Sequence, residues 1–521
     1  MKVCLIAVNS KYIHTSPAVD SLAAYAAAGG EPAGSLCFTV NQPAEQILGR
    51  IYAENARVYC FSVYIWNVEM VFRLVKNLKK VRPEAEIWLG GPEVSCRAEQ
   101  LLREHPEIRG IMRGEGEGTF LDLLRAYRKE IEAEDRFSAI LGISYRRTDG
   151  SIAENDSRPA MDMDRLVFPY FGTEPDPNRI YYYESSRGCP FACSYCLSSI
   201  DRQVRFKSVE KTEEELAWFL KNRVKQVKFV DRTFNLEPAR SLRIWKFLKD
   251  NDNGITNFHF EICAELLTEE ELAFLKTLRP GQVQFEIGVQ TANPVTLERI
   301  HRSRNEEKLR TAVKALLDAK NIHIHLDLIA GLPEEDLESF RNSFNAVYGM
   351  HPLNLQLGFL KILSGTPMET YAREHGFVRS DFPPYEVLST PSLSYGDLLE
   401  LKAVEEMLEV YYNSHQFEKT VAALEEMYQG GYGLYRDLAE FYNKKGYDRM
   451  DHARMRRYEI LLEFIEEKGW DRETYVPLLL YDAAARERLK RWPSWAGSFP
   501  NPRCFDYDRK DPLTGNAKVI H

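Results

Sequence analysis

Long apolar runs and an excess of positive charge are both missing from this sequence. No stretch of about 18 apolar residues occurs, which argues against a membrane-spanning helix. The first residues, MKVCLIAVNSKYIHTSP, are typical of a short strand and not of a signal peptide, so we expect a cytoplasmic protein. The formal net charge of −9 provides no general attraction for an anionic membrane or for nucleic acid, which makes nucleic acid the less favoured partner.

Paired cysteine motifs of the kind that hold structural zinc are also missing. Six of the nine cysteines have no ligand spacing, and we expect them to be small buried side chains: Cys4, Cys37, Cys60, Cys96, Cys263 and Cys504. The other three, Cys189, Cys193 and Cys196, form the C-x3-C-x2-C loop RGCPFACSYC. Structural zinc normally takes four ligands. Three thiolates can instead hold three corners of a [4Fe-4S] cluster and leave one iron open, so the spacing predicts such a cluster.

The fold class is α/β, and residues 1–147 alternate short β-branched or aromatic runs with amphipathic stretches. This pattern predicts a doubly wound, Rossmann-like domain with strands at 2–9, 35–41, 58–66, 86–91 and 110–115. The helices between them include 16–28 and 68–81. Ligands of such folds lie at the carboxyl ends of the strands. The informative positions are therefore Asn9-Ser10, Ser62 to Asn67, Gly90-Gly91-Pro92 and Gly114 to Glu117.

Three further regions follow along the chain. Residues 148–178 are rich in Asp, Pro and Gly and predict a linker. Residues 179–375 resume the strand–helix alternation, with six strands at 181–186, 224–231, 257–266, 282–290, 323–331 and 354–363, which predicts a partial (β/α)6 barrel. Residues 376–521 show apolar side chains at helical spacing and predict a C-terminal helical domain, a candidate for substrate recognition.

Polar side chains interrupt the apolar barrel strands close to their carboxyl ends. They are Asp231, Asn235, Glu265, Glu286, Gln290 and Asp327. A buried carboxylate is costly unless it is paired or hydrogen-bonded. Either these groups form internal ion pairs that stabilise an open barrel, or they bind a polar ligand at the end of the barrel that carries the cysteine loop.

The cysteine loop resembles the signature of the radical S-adenosylmethionine (radical SAM) enzymes. By this resemblance Cys189, Cys193 and Cys196 ligate the cluster, Tyr195 lies next to the adenine of SAM, and the open iron binds the amino and carboxylate groups of SAM. The runs EIGVQT and LIAGLPEE resemble the SAM-binding strands of the same family. They imply SAM contacts from Glu286 and Gln290, then from Glu265 and Asp231. The resemblance also implies an external electron donor such as flavodoxin or ferredoxin.

The N-terminal half resembles the cobalamin-binding domain that precedes the barrel in a large subgroup of that family. The resemblance rests on SPAVDSLAAYAA, FSVYIWN, LGGPEVS and RGEGEGTF. It implies a corrin pocket lined or bordered by Ser62, Tyr64, Gly90, Gly91, Pro92, Glu115 and Glu117. The sequence contains no D-x-H-x-x-G motif, so a histidine ligand to cobalt is not expected.

Together the two resemblances imply cobalamin-dependent methyl transfer to an unactivated carbon. Two alternatives stay open at this point. One is a radical rearrangement, cyclisation or oxidation without methyl transfer, and the other is a non-catalytic sensor that uses cobalamin or the cluster as a redox switch. The sequence does not identify the substrate.

Overall fold

The structure is a computed structural model that describes residues 2–128, 136–302, 305–489, 491–499 and 505–519. Its first domain is a seven-stranded sheet in the order β2-β1-β3-β4-β5-β6-β7. The strands are β1 (Val3–Asn9), β2 (Gly34–Thr39), β3 (Val58–Ser62), β4 (Glu86–Gly90), β5 (Gly110–Met112), β6 (Ile143–Arg146) and β7 (Ile152–Glu154). The helices are α1 (Pro17–Ala28), α2 (Ala44–Ala53), α3 (Val68–Val81), α4 (Pro92–Ser95), α5 (Ala98–Glu104) and α6 (Gly116–Arg128).

The predicted doubly wound domain is confirmed, because β1 to β5 are parallel neighbours with helices between them. Helix α3 has the predicted bounds, and it buries Val71, Leu74, Val75 and Leu78, which share one face at helical spacing. The strand expected over 58–66 stops at Ser62, because the chain turns there into the loop before α3.

The predicted linker is more ordered than its composition suggests. Strand β7 lies in it and pairs antiparallel with β6, extending the sheet of the first domain. Leu166, Phe168 and Tyr170 are buried, and Phe168 packs edge-on against Phe219 of the barrel. The segment therefore joins the first domain to the barrel as packed structure.

The second domain is a six-stranded parallel sheet in the order β15-β14-β13-β12-β11-β8, which confirms the partial barrel. Its strands are β8 (Tyr181–Tyr183), β11 (Gln226–Phe229), β12 (Asn257–Ile262), β13 (Val283–Gln290), β14 (His323–Ala330) and β15 (Asn354–Phe359), and the hairpin β9 (Ser186–Arg187) with β10 (Arg205–Phe206) follows β8. The helices are α7 (Val209–Lys221), α8 (Pro238–Asp250), α9 (Glu269–Leu275), α10 (Pro294–Arg299), α11 (Glu306–Ala319), α12 (Leu337–Tyr348) and α13 (Pro367–Glu374).

The two edges of this open barrel are covered by the other two domains. At β8, the amide of Ile180 donates to the carbonyl of Ile13 (2.7 Å), and the amide of Thr15 donates to the carbonyl of Ile180 (3.3 Å). At β15, the Asn413 carboxamide accepts from the Leu355 amide (3.0 Å) and donates to the Leu355 carbonyl (2.9 Å). These contacts pair the backbone groups of Ile180 and Leu355 at the two edges of the sheet.

The remaining chain is mainly helical, as predicted. A short hairpin, β16 (Val378–Arg379) and β17 (Val387–Ser389), precedes α14 (Tyr395–Leu408), the π-helical turn Glu409–Asn413, α15 (Glu418–Glu425), α16 (Gly431–Lys445), α17 (Arg454–Glu467) and α18 (Arg472–Arg486). The tail forms β18 (Phe505–Lys510) and β19 (Ala517–Val519), and Phe505 and Ala517 pack on α18. None of the helices that the structure describes is long and apolar enough to cross a membrane.

The expectation that the unspaced cysteines are buried holds only in part. Cys4 and Cys60 are buried in the first sheet, and Cys263 is half-buried. Cys37 and Cys96 are exposed, because the first lies on the edge strand β2 and the second lies just after the end of α4. Cys504 lies outside the described residues.

Candidate active site at the carboxyl end of the barrel

The cysteine loop spans the hairpin formed by β9 and β10, directly after the first barrel strand. Gly188 has φ +87°, and a Cβ there would collide with the carbonyl oxygen of Gln203, so glycine is required beside the first cysteine. The Cys189 amide donates to the Asp201 carbonyl (3.0 Å), which ties the start of the loop to its return. The loop therefore has a fixed shape between its two short strands.

The three thiols face the same region but do not converge on one point. Cys189 and Cys193 are buried and Cys196 is half-buried. Burial raises the pKa of the Cys189 thiol, and the neighbouring Cys196 and Cys193 thiols raise it further. Among the described residues, no three His, Cys, Asp or Glu side chains could hold a single metal ion. A cluster suits this arrangement better than one ion, because each thiolate of a cube binds a different iron.

Arg302 is a further residue of this site, and sequence reasoning missed it. Its Nη1 lies 3.6 Å from Cys193 Sγ, and its Nη2 donates to the Gly288 carbonyl (2.6 Å). A half-buried guanidinium held in this way can bind a carboxylate beside the cysteine loop. The local sequence HRSR offers no signal that separates Arg302 from a surface arginine.

Glu286 is engaged in the barrel interior. Its Oε2 lies 3.0 Å from His259 Nε2 and 3.2 Å from Lys228 Nζ. The close approach of the His259 ring and the charge of Lys228 lower the pKa of Glu286 to about 2. Glu286 therefore already has charged partners inside the barrel. This matches the internal ion pairs that the sequence left open as one of two alternatives.

Two acceptors, one on β13 and one on β14, have no such partner. Gln290 lies at a β-bulge with φ +71°, and its Oε1 is buried without a hydrogen bond. Asp327 Oδ1 is also buried without a partner, and burial, with the nearby Glu286 and Glu261, holds the pKa of Asp327 well above its usual range. Because buried polar atoms are rarely left unpaired, these two acceptors mark where a ligand's donors would fit.

The other predicted SAM contacts have different surroundings. Asp231 is fully buried, and its carboxylate accepts from the Ser185 amide (2.9 Å) and from the hydroxyls of Ser185 and Ser186 (2.6 Å each). It supports the strand end that leads into the cysteine loop. Glu265 is half-buried and accepts from the Asn305 amide (2.9 Å). Burial raises the pKa of Tyr195, and Arg302 and Cys193 are among the groups that interact with its side chain.

The first domain presents the carboxyl ends of its strands to this region. Ser62 ends β3, and Tyr64 follows it, stacked on Trp66 with 4.4 Å between ring centres. Gly91 has φ +116°, and a Cβ there would collide with the Val63 carbonyl oxygen. Gly90 ends β4, and Pro92 begins α4. Ser62 and Gly90 are direct neighbours in the sheet, so these residues lie close together at its carboxyl edge, and their contact with a corrin stays a prediction.

The two predicted acidic pocket residues have other partners. Glu117 is 4% exposed and accepts from Arg187 Nη2 (2.6 Å) and from the Ser21 hydroxyl (2.9 Å). Glu115 accepts from Arg205 Nη2 (2.5 Å). Both arginines belong to the hairpin that holds the cysteine loop, so these carboxylates connect the two domains. Their partners are 70 to 90 residues away in sequence, which is why local patterns could not identify them.

Comparisons with known protein families agree with this geometry. Residues 183–347 match the radical SAM superfamily, residues 3–124 match the B12 binding domain, and residues 373–506 match a protein family of unknown function, DUF4080. The chain therefore carries a radical SAM domain. More particularly, a B12-binding domain precedes it, and the cofactors of these two kinds of domain are SAM, an iron–sulfur cluster and cobalamin.

Similar proteins point to the same architecture. The chain is 26% identical over 60% of its length to the cobalamin-dependent radical SAM methyltransferase TokK of Streptomyces tokunonensis, covering 48% of that protein. It is 25% identical over 54% of its length to the anaerobic magnesium-protoporphyrin IX monomethyl ester cyclase of Rubrivivax gelatinosus, covering 52% of it. The chain thus spans about half the length of these relatives. The cobalamin-dependent SAM radical enzyme OxsB shares the fold, with a TM-score of 0.63 at 15% identity over 92% of this chain and 78% of OxsB.

Proposed function

We propose that this protein is a cobalamin-dependent radical SAM methyltransferase that acts on an unactivated carbon. The observation that carries the proposal is the meeting of two sites: the cysteine loop at the carboxyl end of the barrel, and the glycine-rich strand ends of the B12-binding domain held against it. When bound, a [4Fe-4S] cluster with SAM supplies a carbon radical, and cobalamin supplies a methyl carrier.

The chain's own residues would hold and orient these groups. Cys189, Cys193 and Cys196 would bind the cluster, and Arg302 would bind the carboxylate of SAM next to Cys193. Gln290 and Asp327 would accept hydrogen bonds from SAM with their unpartnered oxygens. These assignments put the reacting end of SAM between the cysteine loop and the B12-binding domain.

The four other predicted SAM contacts differ in whether their side chains already have hydrogen-bond or ion-pair partners. Tyr195 lies beside Arg302, where an aromatic ring could pack on the adenine. Glu265 is half-buried and could accept a further hydrogen bond. Glu286 and Asp231 are already occupied, and we propose that they shape the site through Lys228 and through the serines before the cysteine loop.

The B12-binding domain would hold the corrin along its strand ends. Ser62, Tyr64, Gly90, Gly91 and Pro92 lie at or beside those strand ends, and the glycines allow backbone to approach a large flat ligand. Cluster reduction requires electrons from outside the chain, and we propose a small low-potential donor of the flavodoxin or ferredoxin type.

A substrate-independent experiment tests this function. The protein is reconstituted anaerobically with iron, sulfide and hydroxocobalamin, reduced, and given SAM with a labelled methyl group. We expect about four irons and one cobalt per chain, release of 5′-deoxyadenosine, and transfer of label to the cobalamin fraction. Cys193→Ala should stop deoxyadenosine release, and it should leave cobalt binding intact.

Radical chemistry without methyl transfer is the second candidate, and the similarity to a cyclase favours it. It predicts four irons and deoxyadenosine release with no label in the cobalamin fraction. That outcome would move the proposal to cyclisation, rearrangement or oxidation.

A further inference from the structure

Ion pairs with the B12-binding domain hold the cysteine loop at both of its ends. Arg187 and Arg205 are direct partners across the β9–β10 hairpin, and all three cysteines lie in the loop between them. Arg187 bonds to Glu117 (2.6 Å) and lies 3.4 Å from Glu115. Arg205 bonds to Glu115 (2.5 Å). One short turn of the first domain, residues 115–117, therefore holds both strands that begin and end the loop.

These contacts differ from ordinary surface ion pairs. The Arg187 and Arg205 side chains are 15% and 12% exposed, and that of Glu117 is 5% exposed. Each arginine has a second acidic partner inside the barrel domain: Glu184 for Arg187 (2.8 Å) and Asp201 for Arg205 (3.0 Å). Removal of Arg187 would leave the buried Glu117 carboxylate without its cation and with the Ser21 hydroxyl as its remaining donor, so this pair is costly to break.

Only a short stretch of backbone separates these ion pairs from the first cysteine. Arg187 is separated from Cys189 only by Gly188, which has no room for a side chain. The Cys189 amide bonds to the carbonyl of Asp201, whose carboxylate accepts from Arg205. A displacement of either arginine would therefore displace Cys189.

We propose that Arg187 and Arg205 are positioning residues through which the B12-binding domain controls the environment of the cluster. Glu115 and Glu117 then serve this coupling, whereas the resemblance implied that they contact the corrin. The proposal rests on the proposed function in one respect. Binding of cobalamin to the first domain should change the spectrum of the cluster through these ion pairs.

Arg187→Gln tests the coupling, with Arg243→Gln as the matched control. Arg243 also bonds to two glutamates, Glu210 (2.8 Å) and Glu213 (2.9 Å), but on the exposed surface of the barrel. The readouts are the electron paramagnetic resonance spectrum of the reduced cluster, with and without hydroxocobalamin, and the rate of iron loss to a chelator. Arg187→Lys asks whether charge alone restores the coupling.

In wild type and Arg243→Gln we expect hydroxocobalamin to change the spectrum of the cluster. In Arg187→Gln that change should disappear, and iron loss should be about tenfold faster, the size of effect seen when support of a metal ligand is removed. Arg187→Lys should restore part of both. An unchanged cobalamin response together with wild-type iron loss in Arg187→Gln would overturn the proposal.

Two outcomes need separate arms. If Arg187→Gln takes up no iron, Glu117→Gln replaces it, because that variant keeps both arginines and removes one charge of the set. If wild type takes up no cobalt, the proposed function fails. The positioning role then stands or falls on the iron-loss rates and on the cobalamin-free spectra of Arg187→Gln and Arg243→Gln.

Discussion

Two of the contacts that the barrel makes with its neighbouring domains have opposite character. Toward the B12-binding domain the contact near the cysteine loop consists of ion pairs, led by Arg187 with Glu117. Toward the C-terminal domain the contact around Phe344 of α12 consists of packed rings, because Phe344 meets Tyr432 and Tyr435 of α16 edge-on with 5.6 and 6.3 Å between ring centres. Charge-assisted hydrogen bonds are directional, whereas apolar burial is not.

The two contacts should therefore affect different properties of the protein, cofactor chemistry in one case and stability in the other. The ionic contact fixes where the cysteine loop lies, so changes there should alter cofactor chemistry more than stability. The aromatic contact buries apolar surface between α12 and α16, so changes there should alter stability more than chemistry. Substitutions at the cysteine loop, the aromatic contact and the barrel edge test whether chemistry and stability are separated in this way.

Cys193→Ala should abolish SAM cleavage, because the proposed cluster would lose one of its three protein ligands. The measurement is 5′-deoxyadenosine after anaerobic reconstitution and reduction. Cys37→Ala, which removes an exposed thiol on the edge of the first sheet, is the control and should cleave SAM normally. Deoxyadenosine at wild-type levels from Cys193→Ala would remove the cluster assignment.

Phe344→Ala should lower the free energy of unfolding by about 3–5 kcal/mol, the usual cost of deleting a fully buried aromatic ring. Thermal melting monitors the loss. Phe382→Ala removes a ring that is 69% exposed and should change the stability by less than about 0.5 kcal/mol. The separation of chemistry from stability requires that Phe344→Ala, where it stays folded, keeps the cluster spectrum of wild type; an altered spectrum would contradict it.

Arg302→Ala should weaken SAM binding by roughly 10- to 100-fold, because a hydrogen-bonded charge contributes about 1.5–3 kcal/mol. Equilibrium binding of SAM to the reconstituted protein measures it. Arg299→Ala removes a neighbouring, more exposed arginine that lies 3.7 Å from Glu334 and should bind SAM as wild type does. Equal affinities in the two variants would exclude a carboxylate-binding role for Arg302.

Asn413→Leu should lower the stability by about 1–3 kcal/mol, because it leaves the amide and carbonyl of Leu355 unpaired at the barrel edge. Asn413→Asp keeps an acceptor for the Leu355 amide but loses the donor, so its melting temperature should lie between those of Asn413→Leu and wild type. Equal melting temperatures for all three proteins would show that water satisfies this edge as well as the side chain does.

Much of the fold was predictable because it follows from local periodicity. The six barrel strands, helix α3 and the glycine beside Cys189 all express patterns within a few residues of sequence. The spacing of the three cysteines likewise predicted a cluster from a few residues of sequence. Strand β7 was missed, because three residues in a Pro- and Asp-rich stretch give no usable period.

The partners of individual side chains were not predictable in the same way. Glu115 and Glu117 follow a strand end, where a ligand-binding role is a reasonable expectation. Their actual partners, Arg205 and Arg187, come from another domain, and only the folded chain brings them together. Arg302 was missed for the same reason, since its neighbour Cys193 is 109 residues away.

The covered edges of the barrel also have a consequence for synthesis on the ribosome. The segment that covers β8 is made before the barrel, so that edge can pair as soon as Ile180 leaves the exit tunnel. Asn413 is made more than fifty residues after β15 ends, so the other edge waits in an uncovered state while translation continues. A barrel truncated before Asn413 would keep that open edge permanently, and we expect it to associate edge to edge with its own copies.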